Sequence, residues 1–259
     1  MGISKTSRPV QDLRKMVHMI FGPPKTGKTT LASQFPGIVF LATEKGLDHL
    51  EAPRWVDGGG NYVIRTWEDL FVAVDEVAAS KQFTTIALDT VGNACALADD
   101  YVCRRAGEEF RGDGKLGFGK GAAMIANEIR RFFMKISTTG LGVILIAHST
   151  VRTVSTRTGD VQKVVPFVPG DNKDLMLYNL LLGMCDTILF FDALPDGSRV
   201  IRTKPAPSFD AGDRSNRLPA EIKLDSKPEN MFAVLYESFY GRPMRKKLEG
   251  EIKEETKTE

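Results

Sequence analysis

The eight residues Gly22-Pro23-Pro24-Lys25-Thr26-Gly27-Lys28-Thr29 fit the spacing G-x-x-x-x-G-K-[ST]. Glycines at both ends let a backbone wrap closely around an anion, and the amides at the start of the following helix point at it. Lys28 then reaches the terminal phosphates of a nucleotide, and the Thr29 hydroxyl is a ligand for Mg²⁺. Thr30 extends this candidate binding set by one residue. Three further residues stand at the carboxyl ends of apolar runs, where an open α/β sheet presents groups to a ligand. Asp89 closes Thr85-Ile86-Ala87-Leu88 and is a second candidate for the Mg²⁺ site. Glu44 follows Ile38–Ala42 and can polarise an attacking water, a helix-capping or loop acid being the alternative. His148 follows Gly142–Ala147, where an imidazole can hydrogen-bond a γ-phosphate or simply cap the strand end.

These side chains need a scaffold that brings strand ends together. The short apolar runs Met16–Phe21, Ile38–Ala42, Thr85–Leu88, Gly142–Ala147, Thr187–Phe191 and Arg199–Arg202 read as strands. Their Val and Ile content suits parallel strands covered on both faces. Helical patterns alternate with them. Lys28–Gln34 follows the first run, Trp67–Ala79 puts Leu70, Phe71, Val74, Val77 and Ala78 on one stripe, and Ala122–Thr138 does so with Ile125, Ile129, Phe132, Phe133 and Ile136. Alternation of this kind predicts βαβ units: an α/β fold, a mostly parallel sheet with helices on both faces. Two segments interrupt the rhythm. Ala106–Gly121 is rich in glycine and charge, and Ser149–Asp174 is long, polar and β-branched; both read as loops.

Composition is that of a globular chain, with 42% hydrophobic and 26% charged residues. The net charge of +2 gives no general case for nucleic-acid binding, so any such case rests on local patches. Cys95, Cys103 and Cys185 form no CxxC pair, which argues against a zinc or dithiol site and suits a reducing cytoplasm. No apolar run is long enough to cross a bilayer, so no membrane partner is expected. Met1-Gly2 with Thr6 meets only the loose myristoylation pattern. The expected organisation is an N-terminal segment 1–15, a core 16–240 and a charged, solvated tail 241–259.

The order of motifs resembles the RecA-like recombinase ATPase core: phosphate loop, strand ending in Glu, strand ending in Asp, glycine-rich loop, helix, strand ending in a polar sensor, long loop. The stretch Val39-Phe40-Leu41-Ala42-Thr43-Glu44-Lys45-Gly46-Leu47-Asp48 is similar to the strand that carries the catalytic glutamate there. Within that superfamily the chain is most similar to compact phage proteins of recombination and single-strand annealing. Gly117-Phe118-Gly119-Lys120-Gly121, Ala147-His148-Ser149, Arg202-Thr203-Lys204 and Gly212-Asp213-Arg214 carry this likeness.

The resemblance spans about Val17 to Lys223. It implies a RecA-like P-loop NTPase that hydrolyses Mg-ATP between subunits of a ring or filament. It makes Glu44 the general base, and His148 the γ-phosphate sensor in a place where such proteins commonly carry Gln. It makes Lys204, alone or together with Arg214, a cation reaching a neighbour's ATP, although Arg202 is also available and RecA itself has a lysine pair here. It turns the two loops toward single-stranded DNA. Arg111, Lys115, Phe118 and Lys120 in the first, and Arg152, Arg157 and Lys163 in the second, are the candidate DNA contacts, since cations track phosphates and an aromatic stacks on a base. Asp160, Asp171 and Asp174 partly cancel the second loop's charge. Other partners implied are further copies of the chain and, as a candidate, a single-strand-binding protein, in the cytoplasm of a phage host. Readings left open are a helicase-like motor or loader, a nucleotide-dependent switch, and a small-molecule kinase.

Overall fold

The structure, a computed structural model, describes residues 12–157, 159–169, 176–194, 198–224 and 228–244. Most of the N-terminal segment, Met1-Gly2 with Thr6, Asp171, Lys173, Asp174 and the tail from Arg245 onward lie outside the described residues.

Five strands run parallel at the centre: β1 (Val17–Gly22), β2 (Ile38–Ala42), β3 (Thr85–Asp89), the first half of β4 (Gly142–Thr156) and β6 (Thr187–Ala193). With β5 (Gly159–Pro166), β7 (Arg199–Arg202), β8 (Gly212–Asp213) and β9 (Glu221–Leu224) they form a mixed sheet in the order β2-β3-β4-β1-β6-β7-β9. β5 hangs from β4 and β8 from β6, and β7, β8 and β9 pair antiparallel. Helices α1 (Lys28–Ser33), α2 (Trp67–Ser80), α3 (Val91–Ala106), α4 (Lys120–Thr139), α5 (Met176–Met184) and α6 (Met231–Tyr240) cover it.

Side-chain alternation along the strands divides the core. Met19, Phe21, Val39, Leu41, Ile86, Leu88 and Val143 face α2, α3, α4 and α5. Ile20, Ile38, Phe40, Ala87, Ile144 and Ile146 face α1 and α6. Both faces are dry, which is why these strands read as continuous apolar runs. Thr66 caps α2 by accepting the Asp69 amide, and Gly140 in the left-handed region turns α4 into β4. The expected fold class is the one observed.

One expectation about the interruptions needs correction, and one element was not foreseen. Ser149–Asp174 is not a loop over its first part: β4 continues through Thr156 and returns as β5, giving an antiparallel ribbon with Ser149 opposite Pro166 and Thr156 opposite Gly159. The ribbon leaves the sheet and buries little of either face, so it lacks the apolar alternation that marks a half-buried strand. Its β-branched Val and Thr residues were the remaining signal. The unforeseen element, α3, falls between the Asp89 strand and the glycine-rich segment. Its buried stripe is Val91, Ala94, Cys95, Ala98 and Val102, residues mostly too small to stand out as an apolar face.

His18 is wholly buried in β1. Its Nδ1 lies 2.7 Å from Thr187 Oγ1 and its Nε2 2.7 Å from the Leu13 carbonyl. Burial holds this imidazole below its ordinary pKa of 6.5, against the pull of Asp186 and Asp213. The unfolded chain therefore takes up a proton before the folded one does. His18 contributes stability that is full above about pH 6.5 and is lost as pH falls toward its lower folded value. Asp89, whose carboxyl is raised, drives the opposite trend over part of that range. A comparison with His18→Gln isolates the histidine. Melting followed by circular dichroism from pH 7.5 to 5 should show the variant less stable at neutral pH, with its deficit shrinking on acidification. A deficit independent of pH would contradict this account.

Candidate nucleotide site

Gly22 ends β1 and opens the phosphate loop. A Cβ there would sit 2.5 Å from the Phe191 carbonyl oxygen on β6, so no larger residue fits beside that strand. Lys25 and Gly27 both have left-handed backbone, with φ of 63° and 101°. Such turns between ordinary residues gather backbone N–H groups into one concavity, the form that receives a phosphate. Thr26 fastens the loop by donating to the Pro23 carbonyl at 2.9 Å. Pro23 and Pro24 are exposed at its rim, and Thr29 and Thr30 are half-buried in the first turn of α1.

Lys28 is 5% exposed, and its Nζ donates to the Pro23 carbonyl at 2.7 Å, folded inside its own loop. Burial lowers its pKa while Asp89 and Glu44 raise it. Thr29 Oγ1 donates to Asp89 Oδ2 at 3.0 Å. Desolvation pushes the Asp89 carboxyl up to about 6; Thr29 and the charges of Lys28 and His148 hold it down, while Glu44 adds to the rise. A carboxylate this poorly hydrated, beside a threonine hydroxyl, is the donor set expected of an Mg²⁺ site.

Glu44 and His148 complete the group. Asn93 Nδ2 on α3 donates to Glu44 Oε2 at 2.8 Å, and His148 Nε2 lies 3.7 Å from Glu44 Oε1. His148 sits opposite Gly22 in the β1–β4 register, which places it beside the phosphate loop. Its buried Nδ1 has no hydrogen-bond partner among the described residues. Thr43 Oγ1, next to Glu44, lies 3.0 Å from both the Thr90 amide and the Thr90 carbonyl oxygen, tying the β2 and β3 ends together. Lys28, Thr29, Asp89, Glu44 and His148 thus converge from four strand ends. Asn93 was not singled out in the sequence, because its partner lies 49 residues away.

A family model described as an AAA domain matches residues 14–215. The chain belongs to this AAA-domain family. No curated protein matches it. Among solved structures, the KaiC-like protein PH0186 from Pyrococcus horikoshii OT3 is 12% identical, with a TM-score of 0.47 over 83% of this chain and 88% of that one. The AAA domain here is a P-loop ATPase core, with the phosphate loop on β1 and one strand, β4, between it and the Asp89 strand.

The remaining candidates are placed elsewhere. Lys204 and Arg214 do not join this group. Arg214 follows Asp213, which pairs with Thr187 at the start of β6, so it stands at the amino edge of the parallel strands, opposite the phosphate loop. Its side chain contacts Asp186 Oδ1 at 3.4 Å and the Gly183 carbonyl at 2.8 Å. Lys204 lies on the same edge, 3.2 Å from Asn216 Oδ1 and 3.8 Å from Asp213 Oδ2. Arg202 is held by Asp192 and Glu221.

Several of the candidate DNA cations have internal partners. Lys163 pairs with Asp210 at 2.5 Å, Arg152 packs over the Tyr178 ring at 4.3 Å, and Arg111 is 3.6 Å from Asp99. Lys115 donates to the Ala106 carbonyl. Arg157 at the ribbon tip and Lys120 at the start of α4 are exposed, and Phe118 is fully exposed. Among the described residues no helix is long and apolar enough to cross a membrane. The three cysteines are buried free thiols, and burial pushes Cys95 and Cys185 up to about 12.

Proposed function

We propose that this AAA domain hydrolyses ATP and uses the cycle to bind single-stranded DNA in recombination, by annealing or strand exchange, as a head-to-tail assembly. The observation that carries the ATPase reading is the convergence of Lys28, Thr29, Asp89, Glu44 and His148 on one loop. Thr29 and Asp89 would hold Mg²⁺, which shields phosphate charge and orients the terminal phosphate. Lys28 would leave the Pro23 carbonyl for the β- and γ-phosphates. Glu44, with Oε2 fixed by Asn93, keeps Oε1 available to accept a proton from an attacking water.

The DNA reading is supported by continuity. β4 runs without interruption from His148 into the ribbon that carries Arg152, Arg157 and Lys163, and the Phe167 amide donates back to the His148 carbonyl at 2.7 Å. A change at His148 on loss of the γ-phosphate therefore has a covalent and a hydrogen-bonded route to that ribbon. Exposed Phe118, Lys120 and Arg157 offer a stacking face and cations with no ion-pair partner among the described residues. Lys204 and Arg214 stand on the edge opposite the phosphate loop, the place from which a residue meets the next subunit's nucleotide in a head-to-tail stack.

Turnover should rise on adding single-stranded oligonucleotide at low salt. The double variant Phe118→Ala, Arg157→Glu should bind the strand at least about tenfold more weakly, with a shallower salt dependence and basal ATPase unchanged. Fluorescence anisotropy at several salt concentrations measures this. Wild-type protein that neither binds the strand nor responds to it would overturn the DNA reading; transfer of phosphate to a small acceptor would turn it into a kinase.

A further inference from the structure

The order of strands gives the bound nucleotide a direction. Glu44 just after β2, Asp89 on β3 and His148 on β4 all lie to one side of β1, and together they mark the γ-phosphate end. A triphosphate threaded through the loop on β1 must then send its ribose and base to the other side, over β6 and β7. What stands there is Arg199. It opens β7 opposite Ala193, the last residue of β6, and so occupies the same carboxyl edge as the loop. Its Nη1 lies 3.5 Å from the Thr26 carbonyl oxygen, and 3.0 Å from where a Cβ on Gly27 would be.

The character of that contact is informative. At 3.5 Å the bond to Thr26 is long and weak, not a fixed structural tie. Nearby Arg202 is neutralised by two carboxylates, whereas Arg199 has no carboxylate within ion-pair distance among the described residues. In a loop whose amides converge on a phosphate the carbonyls face outward, so a guanidinium on the Thr26 carbonyl sits at the outside of the loop. Met231, itself buried in the core, packs behind the same corner, 3.5 Å from the Gly27 Cβ position. A partly exposed planar cation at this place is suited to the face of a purine.

We infer that Arg199 is the nucleoside-recognition residue of this site, stacking its guanidinium on the base of the bound nucleotide. The inference rests on the reading of the loop as an ATP site. It predicts a separation between ligands. Arg199→Ala should weaken Mg-ATP and Mg-ADP by about tenfold, the range of a well-placed guanidinium–aromatic contact. Inorganic tripolyphosphate, which has no base, should bind variant and wild type alike. In steady-state kinetics the loss should appear chiefly as a raised KM for ATP, since the contact is made to the base and not to the reacting phosphate. Arg199→Lys, which keeps the charge but lacks the planar face, should recover little of the ATP affinity.

Isothermal titration of the full chain with ATP, ADP and tripolyphosphate, alongside ligand-free melting, tests this. Unchanged ATP affinity in Arg199→Ala overturns the inference. Equal losses for ATP and tripolyphosphate also overturn it, assigning Arg199 to the shape of the loop instead. Wild-type protein that binds no Mg-ATP rejects the ATP reading itself, a distinct outcome.

Discussion

Glu44→Gln should bind Mg-ATP as the wild type does while its turnover falls by about a hundredfold to a thousandfold, the range for removing a positioned general base. The surroundings of Glu44 explain why the loss should be confined to chemistry. Oε2 accepts from Asn93 Nδ2 at 2.8 Å, and a glutamine carbonyl oxygen can take that bond unchanged. The amide NH₂ then replaces Oε1 on the side facing His148, 3.7 Å away. There it presents protons where the carboxylate presented a lone pair, and it cannot deprotonate water. The position is only partly buried, so the swap leaves no trapped unsatisfied group to destabilise the fold. Equilibrium dialysis with Mg-ATP and a steady-state phosphate-release assay separate the two quantities. Normal hydrolysis by Glu44→Gln would move the base elsewhere.

Lys28→Ala should lower both binding and turnover. The ammonium sits inside the loop, 5% exposed, and donates to the Pro23 carbonyl until a phosphate replaces that carbonyl. A charge-assisted hydrogen bond of this kind contributes about 1.5–3 kcal/mol, or about tenfold to over a hundredfold in affinity. The same cation opposes charge on the terminal phosphate as it leaves, so turnover should fall by about a further hundredfold. A second consequence is internal. Lys28 is one of the groups holding the Asp89 carboxyl down, and without it that buried acid rises further above about 6. Mg²⁺, which needs the ionised carboxylate, should then bind more weakly at mildly acidic pH in the variant than in the wild type. Titration calorimetry at pH 6 and pH 8 reads both effects. Undiminished Mg-ATP affinity in Lys28→Ala would remove the phosphate loop from the account.

The ribbon shows how local charge can mislead. Arg152, Arg157 and Lys163 look equivalent in sequence as cations on one segment. In the fold, Lys163 is neutralised by Asp210 and Arg152 is spread over the Tyr178 ring, and Tyr178 itself donates to Asp210. These contacts fasten the middle of the ribbon to α5 and to the chain beyond β7, leaving Arg157 at the tip. The glycine-rich segment behaves likewise: Arg111 turns back to Asp99 on α3, while Phe118 stands free in solvent. Any strand-binding surface is therefore smaller than the count of basic residues suggests.

The phosphate loop, the strand ends bearing Asp89, Glu44 and His148, and the layered α/β class were legible in the residues alone. Each of these depends on residues adjacent in the chain: a nest is built from consecutive amides, and a doubly covered strand is a short apolar run. It took the folded sheet to show that Asn93 holds Glu44, that Arg199 reaches Thr26 across 173 residues, and that Lys204 and Arg214 face the opposite edge. Those facts depend on strand order and register, which place distant side chains within ångströms of one another. Such pairings leave no local pattern, because the groups that satisfy each other meet only once the sheet has formed.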